Sequence, residues 1–243
     1  MTLDVLPPFR NAALLLDLDG TLLDMAPTPD AIIVPSGLTE TLHTLRRQLD
    51  EALAVVTGRA VHTIDALLGD AAHAVAGEHG GAIRPYPGAE IERPDLQPPP
   101  VSWFETGAAL EVAHPGAMYE QKPRGFGLHF RLAPGAGPAI HAVLSALIAG
   151  SSTFELLPGV MMWEVRPRGV DKGDAVTNLM ARAPFLGRVP VFIGDDVTDE
   201  DGMRVARAMG GTGLRVQDVF GDAAGVRAWL HDSASRGDWG ALP

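Results

Sequence analysis

The chain has 243 residues, 46% of them hydrophobic, and its 30 acidic against 19 basic residues give a formal charge of −11. A field of that sign repels nucleic acid, and the apolar runs fall far short of the ~18 residues a membrane span needs, so neither partner is expected. The lack of cysteine excludes disulfide scaffolds, thiolate metal sites and cysteine nucleophiles, and the N-terminal MTLDVLPPFR has no signal-peptide pattern, so a soluble, cytoplasmic protein is expected.

In chain order, Ala12–Leu16 is a short apolar run ending in an Asp/Gly cluster, the pattern of a buried parallel strand entering a loop. Leu38, Leu42, Leu45 and Leu49 recur at helical spacing through 35–50. Ala52–Val56 reads as a second strand closed by Thr57-Gly58-Arg59, and Val61–Leu68 as another helix. Alternation at these lengths predicts right-handed βαβ units and a parallel sheet. From Pro85 onward prolines punctuate the chain, at Pro87, Pro94 and 98–100. Two hairpins follow, one over 117–132 turning at Pro123–Gly125, the other over 153–165 turning at Pro158-Gly159, with a helix at 139–149 between them. The βα texture resumes after Arg168: helix 172–182, strand 189–193, helix 199–209, strand 213–216 and helix 223–231. The fold expected is α/β, a Rossmann-like parallel-sheet core formed by 1–84 and 169–243 and interrupted by an α+β cap domain at 85–168.

Two acidic clusters stand at strand ends. Residues two apart in extended backbone share a side, so Asp17 and Asp19 of DLDGT converge on one pocket. The strand at 189–193 runs into GDDVTDE, which holds Asp195, Asp196 and Asp199. Open parallel sheets bind ligands outside the carboxyl ends of their strands. So many close carboxylates call for a cation, and hard oxygen donors at an open site favour Mg²⁺. Either cluster alone is as well explained by turn formation and helix capping; together they favour a metal site. Thr57-Gly58 offers a hydroxyl and a backbone N–H at the same sheet edge, and Lys172-Gly173 opens a helix, where an ammonium lies beside N–H groups that favour anions. Lysine is used only at Lys122 and Lys172, in a chain that otherwise uses arginine.

The order DxDGT, T-G-R, K-G and GDDxTDE resembles the haloacid-dehalogenase superfamily of aspartate-nucleophile phosphatases, over about 11–84 and 168–231. The resemblance implies that Asp17 attacks phosphorus to form an aspartyl-phosphate, while Asp19 serves as acid and then base. It also implies that Thr57, Gly58 and Lys172 hold the phosphoryl group. Mg²⁺ would be bound by the Asp17 and Asp195 carboxylates and the Asp19 backbone carbonyl, with Asp196 and Asp199 supporting. YEQKPRGFGLHFR (119–131), MWEVRPRGVDKG (162–173), PVFIGDDVTDE (190–200) and GEHGGAIR (77–84) narrow the resemblance to the trehalose-6-phosphate phosphatase family, with its C2-type cap.

By that resemblance Glu120, Lys122 and Glu164 would bind sugar hydroxyls, with His129 and Arg131 as further candidates. Their bland alternatives are a solvated E-x-K ion pair for Glu120 and Lys122, an outward edge-strand position for Glu164, and the polar side of a hairpin for His129. The resemblance implies Mg²⁺-dependent hydrolysis of trehalose 6-phosphate in trehalose biosynthesis, by a monomer working with a separate trehalose-6-phosphate synthase. Alternatives are the same chemistry on another sugar phosphate, such as sucrose-phosphate or glucosylglycerate-phosphate, a phosphomutase, and a non-catalytic sugar-phosphate sensor.

Overall fold

A computed structural model describes residues 6–26, 31–122 and 124–243. In chain order its longer elements are β1 (Ala12–Leu16), α1 (Leu38–Gln48), β2 (Leu53–Val56), α2 (Val61–Leu68), β3 (Ala74–Gly77), β4 (Ala82–Arg84), α3 (Val101–Ala113), β5 (Met118–Lys122) and β6 (Gly125–His129). There follow α4 (Gly137–Ile148), β7 (Phe154–Gly159), β8 (Met162–Pro167), α5 (Lys172–Met180), β9 (Val189–Gly194), α6 (Asp199–Ala208), β10 (Thr212–Arg215), α7 (Val216–Val219) and α8 (Ala223–Arg236). The chain forms two compact units, Met1–Pro94 with Val170–Pro243, and Asp95–Gly169.

The first unit is built on a six-stranded sheet in the order β10-β9-β1-β2-β3-β4, parallel except for β4. β1 lies between β2 and β9, and all five of its residues are buried, which is why it reads as a continuous apolar run rather than an alternation. Its side chains divide by parity. Leu14 and Leu16 pack with Leu42 and Leu45 of α1 and Val226 and Leu230 of α8, while Ala13 and Leu15 pack with Val176 and Leu179 of α5 and Met203 of α6. Helices therefore cover both faces, and each fully buried leucine contributes ~1.5–3 kcal/mol of burial. Parallel pairing brings the carboxyl ends of β1, β2 and β9 to one edge.

The second unit is a four-stranded antiparallel sheet, β5-β6-β8-β7, with α3 and α4 packed on it. Phe126, Leu128, Val165 and Phe154 meet Leu110 of α3 and Ile140 and Leu144 of α4 in one apolar cluster. Alternation sends Glu120, Gly127 and Glu164, which are aligned across β5, β6 and β8, to the opposite side. Lys122, Gly125, His129 and Met162 share that side by register.

Several details depart from the sequence reading. The proline-rich stretch after Arg84 does not leave the first unit at once, because Ile83 and Glu92 exchange two backbone hydrogen bonds of 2.8 Å. The units therefore divide at 94/95 rather than at 84/85. α3, β3 and β4 form where the sequence pattern predicts no element. The second hairpin turns at Val160-Met161, where Met161 is left-handed, and Pro158 and Gly159 belong to β7. An edge strand tolerates proline because its outer N–H positions need no partner. The first hairpin's turn at Pro123 lies outside the described residues.

Candidate active site

Asp17 follows β1 directly, and its N–H donates to Ile193 O of β9 (2.9 Å), which fixes it at the sheet edge. Its carboxylate is buried and accepts from Lys172 Nζ at 2.6 Å. Lys172 is the first residue of α5, whose start is fixed by a reciprocal cap: Asp174 N–H donates to Asp171 Oδ1 (2.9 Å) and Asp171 N–H to Asp174 Oδ2 (3.2 Å). The same Nζ donates to Asp199 Oδ1, also at 2.6 Å. The other oxygen of Asp199 accepts from the N–H groups of Asp195 (3.1 Å) and Asp196 (2.9 Å). Asp199 thus ties the β9 loop to the ammonium from a fully buried position.

Carboxylate oxygens of Asp17, Asp195 and Asp199 lie within 4.8 Å of one another. Three carboxylates around a single ammonium are short of positive charge. Burial, with Asp199 and then Asp195 close by, pushes the Asp17 carboxyl well above its ordinary value, although Lys172 opposes this. Burial together with Asp199 and Asp196 pushes Asp195 up to about 6. Burial also works against the Lys172 charge, but Asp17 and Asp199 overcome it and hold the ammonium protonated. A Cβ on Gly20, which sits at φ +83°, would fall 2.2 Å from Asp195 Oδ2, so only glycine leaves room for that carboxylate. Thr21 Oγ1 donates to Asp195 Oδ1 at 3.3 Å. The donor set, hard oxygens short of positive charge, fits a divalent cation.

The remaining predicted residues divide between the two units. Thr57 is buried after β2, and its Oγ1 accepts from Arg59 N–H at 3.2 Å. Gly58 faces the His79 ring, where a Cβ would lie 2.5 Å from Nε2. The Asp19 carboxylate stands outside the acidic cluster and is gripped by Arg59, Nε to Oδ2 at 2.6 Å and Nη2 to Oδ1 at 2.9 Å. The Asp196 carboxylate turns back on its own loop, accepting from Val197 N–H at 2.6 Å.

In the second unit Lys122 Nζ donates to Glu164 Oε2 at 2.5 Å, and both side chains are buried, so the pair is not a solvated one. His129 Nε2 lies 2.8 Å from Glu120 Oε2. Burial raises the Glu120 carboxyl, but His129 and Lys122 outweigh it and leave the group below its ordinary value. Arg131 lies two residues past the end of β6. Sequence reasoning gave Arg59 no role of its own. The available signal was a guanidinium two residues after Thr57, at the strand end facing the Asp17 loop.

Comparison with known proteins accords with this geometry. The family model described as trehalose-phosphatase matches residues 15–225. A trehalose-6-phosphate phosphatase of Escherichia coli (strain K12) is 35% identical over 202 residues, covering 82% of this chain and 75% of that protein. Among solved structures, a trehalose-6-phosphate phosphatase related protein aligns with a TM-score of 0.73 at 22% identity, over 92% of this chain and 97% of the other. A haloacid dehalogenase-like hydrolase from Bacteroides thetaiotaomicron gives 0.57 at 15% identity, over 79% and 84%. These two establish the fold, a haloacid-dehalogenase-like α/β core with an inserted α+β domain. The family model spans most of the chain, and the chain belongs to the trehalose-phosphatase family of phosphoric monoester hydrolases.

Proposed function

We propose that this chain hydrolyses trehalose 6-phosphate to trehalose and inorganic phosphate through a phosphorylated Asp17. The observation that carries the reading is the buried Lys172 ammonium shared by Asp17 and Asp199 at 2.6 Å each, beside Asp195. Phosphoryl transfer asks mainly for positioning and charge neutralisation, and this cluster supplies both.

In this reading Lys172 aims the Asp17 carboxylate and, together with the bound cation, offsets its acidic neighbours so that it reacts ionised, an Asp17 oxygen bonding to phosphorus as the bond to the sugar oxygen breaks. Asp19 gives its proton to that departing oxygen. The carboxylate so formed then takes a proton from the water that attacks the aspartyl-phosphate, which restores Asp17. Thr57 and Gly58 offer their hydroxyl and N–H to the phosphoryl oxygens. Mg²⁺, held by the Asp17 and Asp195 carboxylates and the Asp19 backbone carbonyl, supplies positive charge against those oxygens when bound. Asp196 and Asp199 shape the loop that carries Asp195. Glu120, Lys122 and Glu164 recognise sugar hydroxyls, with His129 orienting Glu120 and Arg131 at the margin. The activity would complete trehalose synthesis begun by a separate synthase.

The test is a panel of trehalose 6-phosphate, sucrose 6-phosphate, glucosylglycerate phosphate and an aryl phosphate, each with and without Mg²⁺. The reading expects Mg²⁺-dependent phosphate release, with trehalose 6-phosphate showing the highest kcat/KM. Preference for another sugar phosphate would move the substrate while leaving the chemistry in place. Undiminished release after metal removal would contradict the site.

A further inference from the structure

We propose that Arg59 is the positioning residue for the Asp19 carboxylate, holding it at the angle from which it exchanges protons with the ester oxygen and then with water. The proposal rests on the assignment of Asp19 as acid and base. The grip is a two-pronged one, through Nε at 2.6 Å and Nη2 at 2.9 Å, so it fixes the plane of the carboxylate as well as its location. Lys172 cannot do this work, because its ammonium is committed to Asp17 and Asp199.

Arg59 is itself held on both sides of its backbone. Its N–H donates to Thr57 Oγ1 at 3.2 Å, and its carbonyl accepts from Glu78 N–H at 2.9 Å. The neighbouring His79 N–H donates to Thr57 O at 3.0 Å. Glu78 and His79 are both left-handed, at φ +54° and +55°, a strained pairing for residues other than glycine. The loops after β2 and β3 thus lock together and carry one guanidinium to the loop after β1. Asp19 is two residues from Asp17, in a turn that Gly20 opens at φ +83°. Short of another tether, such a carboxylate has rotamers that point elsewhere, and Arg59 selects one of them.

A residue that acts through a general acid is needed most when the leaving group is a poor one. The experiment compares wild type, Arg59→Lys, Arg59→Ala, Asp19→Asn and the Arg59→Ala/Asp19→Asn double variant. The substrates are trehalose 6-phosphate and a series of aryl phosphates of increasingly acidic phenols, with the first turnover followed by phenolate burst. Thermal melts and Mg²⁺ titration check that each variant is folded and binds metal.

Arg59→Ala is expected to cost the sugar ester on the order of tenfold to a hundredfold in kcat/KM and the nitrophenyl burst only a few-fold. Arg59→Lys, which keeps the charge but not the fork, should fall short of wild type on the sugar ester with the same selectivity. In the Asp19→Asn background Arg59→Ala should cost little more, because its target is gone. Equal loss on both esters, or full additivity in the double variant, would overturn the proposal by showing that Arg59 serves the phosphoryl group or the fold instead. If Asp19→Asn itself shows no leaving-group selectivity, the acid–base assignment fails and takes the Arg59 role with it. If only Asp19→Asn shows it, the assignment stands and the Arg59 role alone is refuted.

Discussion

At Asp199 one carboxylate accepts from Lys172 and from the N–H groups of Asp195 and Asp196 while wholly buried. Removing it by Asp199→Ala leaves those donors without that acceptor, and breaking a buried charged pair costs about 3–5 kcal/mol, to be read from urea unfolding. Asp199→Asn keeps the shape and should spare most of that stability while lowering metal affinity by roughly tenfold to a hundredfold, measured calorimetrically. Asp195 adds a pH dependence. An aspartate in the unfolded chain titrates at about 3.9, whereas in the folded, metal-free site burial and the neighbouring Asp199 and Asp196 push Asp195 up to about 6. The folded state therefore holds the proton more tightly. The stability this group contributes is full below the unfolded value and lost as pH rises through the folded one. Without metal, the Tm of wild type relative to Asp195→Asn should fall between about pH 4 and pH 7, and Mg²⁺ should recover it at the upper end. A pH-independent Tm difference would contradict the crowding of carboxylates at this edge.

The strands set which glycines the molecule cannot replace. A Cβ at Gly125 would meet Val165 O at 2.2 Å, a backbone atom of the paired strand β8, so Gly125→Ala must disturb the β6–β8 ladder. At Gly127 the nearest neighbour is Met162 Cε at 3.0 Å, the end of a flexible side chain that can move. Gly125→Ala should therefore lower the Tm clearly and Gly127→Ala only slightly. On the same face, Lys122→Ala deprives the buried Glu164 of its ammonium, an expected loss of about 3–5 kcal/mol, whereas Lys122→Arg should fold and lose kcat/KM on the sugar ester alone.

These elements were unevenly legible in the sequence. β1, α2 and β9 could be read because unbroken apolar runs or a clean helical period mark them. α3 was hidden because Val101 and Val112, at 74% and 82% exposure, blur the stripe formed by Trp103, Phe104, Gly107 and Leu110. β3, Ala74–Gly77, is made of small residues with one β-branched side chain, too weak a strand signal to stand out. The Pro158-Gly159 pair looked like a turn, but edge placement lets it lie inside β7. The acidic clusters and Lys172 were readable because strand ends fix where short side chains go. Arg59 was not, since its long side chain finds Asp19 only once β1 and β2 are paired.

For the whole molecule, a charge of −11 opposes an anionic substrate everywhere except where fixed cations outweigh it. The first unit places a buried ammonium and a guanidinium on Asp17 and Asp19 at a single sheet edge, and the second sets Glu120, Lys122, His129 and Glu164 on the sheet face opposite its apolar core. The chain spends its lysines at these two places and uses arginine elsewhere. In the proposed function Asp17 is the group that takes up phosphate. The most direct test of that role is the steady-state release of inorganic phosphate from trehalose 6-phosphate in Mg²⁺, wild type against Asp17→Asn at matched folded concentration. Release by wild type and none above background by Asp17→Asn is the predicted result; release by Asp17→Asn at a comparable rate would contradict it.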